Sequence, residues 1–272
     1  MIKKKIIILL VLTLFCLGCK EKNKLGVHFI DVGYGVCILI ENEICGNLLI
    51  DGGYPEQSDK ILNYLKEEEI ERLDLVVATH PHPDHIGGLP EVLQNIEVGK
   101  LLTNEGMTGR KEWAELRELS SGKNIECVIL KRGDIMVDEP DFKIEVLHPE
   151  KPGNNLNESA LVLKMTHGGV RFLFTADISS RICEELAGLY GDKLKSEVLK
   201  APHHGKQPSR VFFKTVDPSI AVISTGESEW RKPEDEEKVL SILEELGIKV
   251  LSTENRGTVV VKSNGRRFKI IK

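Results

Sequence analysis

Three imidazoles and a carboxylate fall within six positions, His80-Pro81-His82-Pro83-Asp84-His85, in a chain with eight histidines in all. Imidazole nitrogen and carboxylate oxygen are the donors that suit zinc, manganese or iron. Pro81 and Pro83 argue against a helix and bias the residues before them toward extended backbone. In an extended segment positions i and i+2 project to one side, so His80 and His82 can grip one ion. Asp84 and His85 then sit where the chain turns and can face a second ion beside the first. Two ions roughly 3.5–4 Å apart form a clamp used by many hydrolases. A polar loop with a chance cluster is the bland alternative, and so many histidines at one strand end weigh against it.

The elements around this stretch must hold it in place. Residues 75–79, Leu-Val-Val-Ala-Thr, are a short, branched apolar run that reads as a buried strand. Upstream, 27–32, 36–41 and 47–50 read as strands, the third running into Asp51-Gly52-Gly53, and His28 is expected to be a strand histidine without a catalytic part. Ile61, Leu62, Leu65 and Ile70 recur at helical spacing and predict an amphipathic helix over 57–69. A helix near 88–93, a strand at 100–102, a helix at 111–119 with Trp113 and Leu116 in the core, and a strand at 126–130 follow. A strand at 142–147 ends at His148-Pro149 and opens a polar loop over 150–157. Residues 160–165 and 170–174 read as a hairpin, and 179–189 as a helix. A strand starting at 197 ends at Pro202, ahead of His203 and His204. A strand at 220–224, a helix at 234–246 and strands at 248–251, 258–261 and 267–271 complete the pattern. This alternation predicts a layered α/β domain.

His80-x-His82-x-Asp84-His85-x-Gly87-Gly88 resembles the signature of the metallo-β-lactamase superfamily of metallohydrolases. More narrowly, the chain is similar to the hydrolase domain of ComEC-type competence proteins. Val27-His28-Phe29-Ile30-Asp31-Val32-Gly33, Leu49-Ile50-Asp51-Gly52-Gly53, the Asn-rich run at 154–159, Phe172-Leu173-Phe174-Thr175-x-Asp177 and Pro202-His203-His204-Gly205 carry that likeness. Together they cover about residues 25–272. The chain departs from the pattern at Tyr34 and Val36 (usually Gln and Asp), Ala176 (usually Gly), Lys206 (usually Ser) and Lys232 (usually His).

The resemblance implies a four-layer αββα sandwich with its site on the rim where the two sheets meet. It implies two divalent ions, zinc before manganese or iron. His80, His82 and Asp177 would hold the first; Asp84, His85, Asp177 and His204 the second, with Asp177 bridging. Adjacent side chains of extended backbone diverge, so both histidines cannot easily bind one ion; the resemblance implies His204 as the ligand, with His203 as a donor or proton source. Asp84 and His203 are thus the candidate catalytic groups. Asp51 would orient a ligand from behind. Many superfamily members place a third histidine of the first ion in a loop where this chain has its Asn-rich run, so Asn157 and His148 are candidates to support or complete that ion. Lys206 and Arg210 are candidates to neutralise a substrate phosphate. A water between two cations would lose its proton near neutral pH.

At 272 residues and 41% hydrophobic content the chain can build a sizeable core. Residues 1–19 read as a targeting segment: Lys3, Lys4 and Lys5, then an apolar run over 6–17 that is short for a membrane span, then Leu17-Gly18-Cys19, which resembles a lipoprotein cleavage site with Cys19 lipidated. An uncleaved anchor is the alternative. Residues 20–24 read as a tether and 25–272 as the hydrolase domain. Loss of residues 1–18 removes three lysines and no acid, moving net charge from −5 to −8, so the domain has no general attraction to nucleic acid. Cys37, Cys45, Cys127 and Cys183 show no C-x-x-C spacing, which argues against a thiolate zinc site. Isolated buried thiols are favoured over a Cys37–Cys45 bridge.

The expectation is therefore an exported hydrolase, lipid-anchored on the outer side of a bacterial cell membrane, acting on phosphodiesters. DNA-type substrates enter by family analogy alone, nucleic acid is expected only as substrate, and no obligate protein partner is expected. An envelope phosphoester, a lactone, or a non-catalytic surface-binding role are the alternatives.

Overall fold

The computed structural model describes residues 24–106 and 109–271, so the targeting segment with Cys19, and the tether up to residue 23, lie outside the described residues. β1 (Leu25–Phe29), β2 (Ile38–Asn42) and β3 (Gly46–Ile50) pair as an antiparallel meander. Helix α1 (Ser58–Glu67) carries the chain back, and β4 (Arg72–Val77) joins β3 in parallel. After α2 (Pro83–Ile86) and α3 (Leu89–Asn95) comes β5 (Glu97–Thr103), and after α4 (Lys111–Gly122) comes β6 (Glu126–Ile129), both parallel to their predecessors.

The second sheet begins with β7 (Ile135–Glu139), β8 (Phe142–His148), β9 (Val162–His167) and β10 (Val170–Phe174), all antiparallel. Helices α5 (Ser180–Tyr190), α6 (Arg210–Val216) and α7 (Pro233–Glu245) then alternate with the parallel strands β11 (Val198–Lys200), β12 (Ile220–Ile223) and β13 (Lys249–Ser252). A short α8 (Thr253–Arg256) leads to β14 (Val259–Ser263) and β15 (Phe268–Ile270), which return to the first sheet. The strand orders are β15-β14-β1-β2-β3-β4-β5-β6 and β13-β12-β11-β10-β9-β8-β7.

Alternation along each strand decides which layer a side chain enters. Ile38 and Ile40 of β2 point between the sheets, while Leu39 packs under the helices. Phe29, Phe142, Phe172 and Phe174 fill the space between the sheets. Ile61, Leu65, Leu89, Leu93 and Leu116 cover the first sheet's outer face; Ile182, Leu186, Phe212, Phe213 and Leu243 cover that of the second. Each of these fully buried side chains contributes about 1.5–3 kcal/mol. Two helical layers around two sheets make a four-layer αββα sandwich.

Several local expectations change. The strand anticipated at 75–79 starts at Arg72 and stops at Val77, where the chain leaves the sheet for the site. Pro83 does not exclude a helix: it occupies the first position of α2, where its missing N–H costs nothing. β7 was not anticipated because Ile135–Glu139 is short, acidic and half exposed, and α6 is a further addition. All four described cysteines are free, and Cys127 is exposed rather than buried because β6 is an edge strand.

Candidate metal centre

The residues with metal chemistry leave the sheets at carboxyl ends of strands, where open α/β sheets place their ligands. Asp51 follows β3, Thr79 and His80 follow β4, Asp177 follows β10, His203 and His204 follow β11, and Ser224 follows β12. Parallel pairing of β3 with β4 and of β10 with β11 sets these ends side by side. Asp51, Ala176, His203 and His204 all adopt positive φ, at 59°, 44°, 49° and 54°. Such backbone costs of order 1–3 kcal/mol per non-glycine residue and persists where the surroundings enforce it. Ala176 thus occupies a left-handed position that glycine fits without strain, which accounts for the glycine usual there. The expected extended backbone at 203–204 is instead a left-handed turn.

Asp84, His85, Asp177 and His204 offer ligand atoms that all lie within 4.8 Å of one another. His204 Nε2 is 3.0 Å from Asp84 Oδ2 and 3.3 Å from Asp177 Oδ2; His85 Nε2 is 3.1 Å from Asp177 Oδ1. The two oxygens of Asp177 therefore face different imidazoles. His80 Nε2 and His82 Nδ1 are 3.1 Å apart, and the His80 and His85 rings lie 4.1 Å centre to centre. These spacings approach the roughly 3.3 Å between two ligands on one tetrahedral ion with bonds of about 2.0–2.1 Å.

The residues behind the cluster select the tautomers. Asp51 accepts from Thr79 N (2.9 Å) and Thr79 Oγ1 (2.7 Å) and from His85 Nδ1 (2.6 Å), so His85 carries a proton on Nδ1 and aims Nε2 inward. Thr79 spends its one hydroxyl hydrogen on Asp51 and so accepts from His80 Nδ1 at 3.1 Å. His204 Nδ1 donates to the Ser224 carbonyl at 2.8 Å. All three rings thereby present Nε2 to the site, as carboxylate- and carbonyl-backed metal ligands do. His85 Nε2 is buried and faces Asp177 Oδ1 at 3.1 Å.

Burial would raise both carboxyls, yet the surrounding imidazoles hold Asp84 and Asp177 well below the usual range. Burial also works against a charge on His85, but Asp177 and Asp51 outweigh it and push His85 up to about 10; His204 is raised against burial in the same way by Asp177 and Asp84. Burial keeps His80 and His82 neutral, the form that binds metal. A buried pair of carboxylates that draws protons onto its neighbours demands cationic charge, and a divalent ion satisfies that demand. The donor set therefore fits a divalent metal.

His203 is less buried and faces Asp177 Oδ2 at 3.6 Å. Gln207 Oε1 accepts from Ser180 N at 2.8 Å, which fixes the amide so that Nε2 donates to His203 Nδ1 at 3.0 Å. The neutral ring then carries its proton on Nε2, on the cleft side. Lys206 lines this cleft and donates to Tyr34 Oη. Arg210 does not line it: Arg210 pairs with Glu245 on the surface, because α6 points it away. Nor is His148 brought to the cluster, since its Nε2 donates to the Glu158 carbonyl at 2.8 Å. Asn157 Oδ1 is buried without a partner. Its turn leads into Leu161, whose N–H donates to the Thr79 carbonyl beside His80. His28 lies in β1, bonded to Tyr64 and Glu41 away from the cluster.

Sequence reasoning overlooked Lys200, which is fully buried, donates to the Ala176 carbonyl at 2.9 Å and approaches Asp177 Oδ1 at 3.5 Å. It also overlooked Thr79, Gln207 and the cleft residues Tyr54, Arg110 and Trp230. A lysine inside the branched strand at 197–200 was the one signal available, since buried lysines are rare. The cleft itself measures about 490 Å³.

The family model of the metallo-beta-lactamase superfamily matches residues 30–226. ComE operon protein 3 of Bacillus subtilis is 28% identical over 260 residues, covering 88% of this chain and 33% of that protein. Competence protein ComA of Neisseria gonorrhoeae is 29% identical over 241 residues, covering 88% of this chain and 32% of its own length. The chain thus spans about a third of the curated relatives it matches. Among solved structures, the metallo-beta-lactamase fold protein YhfI of Bacillus subtilis shares the fold with a TM-score of 0.58 at 13% identity, over 88% of this chain and all of that one. CmlA, a diiron beta-hydroxylase from Streptomyces venezuelae, has a TM-score of 0.58 at 15% identity, over 89% of this chain and 54% of that one. Matched over most of its described residues and folded as the αββα sandwich, the chain belongs to the metallo-beta-lactamase superfamily and within it is similar to ComEC-type competence proteins.

Proposed function

We propose that this protein is a metal-dependent hydrolase of phosphodiesters, with DNA-type strands as the substrate class suggested by its similarity to competence proteins. The observation that carries this reading is the convergence of Asp84, His85, Asp177 and His204 within 4.8 Å at the floor of an open cleft. His80, His82 and Asp177 would hold one divalent ion, with Asn157 as a candidate further donor; Asp84, His85, Asp177 and His204 would hold the other. Zinc suits this nitrogen and oxygen set, as do manganese and iron. Bound divalent ions supply Lewis acidity and lower the pKa of water at the site.

The chain's own groups do the rest. Asp177, with Oδ1 toward His85 and Oδ2 toward His204, ties those two rings to the end of β10. Asp51 locks His85. Lys206 spends one N–H on Tyr34 and turns its others to an anionic substrate oxygen. His203, neutral with its proton on Nε2, is placed to hydrogen-bond the leaving-group oxygen.

The test is turnover of bis(p-nitrophenyl) phosphate by protein supplied in turn with zinc, manganese and iron. Turnover should vanish on chelation, return on metal addition, and be lost in Asp84→Ala, with about two equivalents of metal bound by the unaltered protein. Hydrolysis of lactones but of no phosphodiester would overturn the reading. We further assign residues 1–19 as an export signal ending at a lipidated Cys19, supported by Lys3–Lys5, the apolar run and Leu17-Gly18-Cys19. Fatty-acid labelling lost in Cys19→Ser tests that assignment. Among the described residues, no helix is long and apolar enough to cross a membrane.

A further inference from the structure

At 62% exposure, Trp230 is the most exposed large apolar side chain among the described residues, and it lines the cleft that opens onto Asp84 and Asp177. Its loop is held at both ends. Trp230 N donates to Ser228 Oγ at 3.1 Å, and the next residue, Arg231, is tied to Glu236 at 2.9 Å and to Glu254 at 2.5 Å. The ring is therefore presented from an anchored turn. Three cations share the cleft wall with it, Arg110, Lys206 and Lys232, against one acid, Asp235, outside the metal cluster. With Asp84 and Asp177 counted, the lining balances three cations against three acids, in a chain of net charge −5. An exposed aromatic face beside cations is the pairing that holds single strands, with a base on the ring and phosphates on the charges.

We propose that Trp230 is the base-stacking residue of this cleft, taking the nucleobase next to the phosphodiester that reaches the metal centre. The proposal rests on the phosphodiesterase reading and adds to it the recognition of an unpaired base. Stacking demands a base freed from its duplex, so the preferred substrate is a single strand.

The chain has two tryptophans, and the other, Trp113, is buried at 7% exposure, so emission from the exposed ring reports the contact. A short oligothymidylate should quench it saturably at fixed salt. By fluorescence anisotropy of a labelled strand, Trp230→Ala should bind about tenfold more weakly, and Trp230→Phe should keep most of the affinity. A strand abasic throughout should bind the unaltered protein no better than the intact strand binds Trp230→Ala. Equal affinity of Trp230→Ala and the unaltered protein would overturn the proposal. So would abasic binding as tight as intact binding, which would place a sugar on the ring, or no binding of any oligonucleotide. These measurements need no turnover, so a protein that hydrolyses nothing refutes the parent reading while binding still decides the stacking.

Discussion

Lys206 donates a hydrogen bond to the phenol of Tyr34 and sits 5.1 Å over its ring. Both residues depart from the ComEC-type pattern, which has glutamine and serine at these places, and the structure shows that the two departures touch. The Tyr34 ring in turn lies 4.3 Å from that of His204. Burial lowers the Lys206 ammonium from its usual range, Asp177 and Asp84 oppose that, and the neutral phenol solvates it without cancelling its charge. Lys206→Ala should raise KM for a small phosphodiester about tenfold, the worth of one charge-assisted hydrogen bond, with a smaller change in kcat. Tyr34→Phe should raise KM less, because the ring stays on His204. Steady-state kinetics checks both, and an unchanged KM in Lys206→Ala would remove that residue from substrate contact.

Asp51 touches the centre only through Thr79 and His85. Its removal frees His85 to rotate and lets the Thr79 hydroxyl turn from acceptor to donor at His80. Asp51→Ala should therefore lower metal affinity about 10–100-fold while every proposed ligand remains. Metal content after dialysis against a graded chelator measures this. Full retention would show that the loop backbone alone positions the rings.

Lys200 lies under Asp177 with almost no exposure. Lys200→Met keeps its length and removes its charge, leaving a buried carboxylate with less cationic support. The expected cost is about 3 kcal/mol, the low end for stripping one partner from a buried pair. It should appear as a lower urea midpoint at unchanged slope. Added divalent cation should narrow the deficit, because it binds the folded state alone.

Far from the centre, Arg171 holds Glu197 through its guanidinium at 2.5 Å and its own N–H at 2.7 Å. Burial would raise this carboxyl, and the Arg171 bonds outweigh it, so the folded-state pKa lies below the unfolded one. A depressed carboxyl contributes stability that is full above the unfolded value, about 4.3, and is lost as pH falls through the folded value. Glu197→Gln should therefore be less stable than the unaltered protein at pH 7, with the gap closing toward pH 3. Urea midpoints across that range measure it.

Much of the centre was legible because its chemistry is local. Spacing within 80–85 concentrates donors at the end of a branched apolar run, and amphipathic periods over 57–69 and 234–246 announce the helices that cover the sheets. The αββα architecture and the roles expected of Asp177 and His204 came from resemblance, since spacing alone cannot bring segments so far apart in sequence to one rim. Tertiary structure decided the rest. Tyr34 and Lys206 are 172 positions apart, and only closure of the two sheets sets one on the other. It likewise turned Arg210 outward to Glu245, gave His148 to a backbone carbonyl, put Lys200 beneath Asp177 and stood Trp230 at the cleft mouth. Side-chain type and period are properties of neighbours along the chain and can be read directly. Which atom a buried proton or charge meets depends on which strand ends lie side by side, and that is settled only when the whole sandwich has packed.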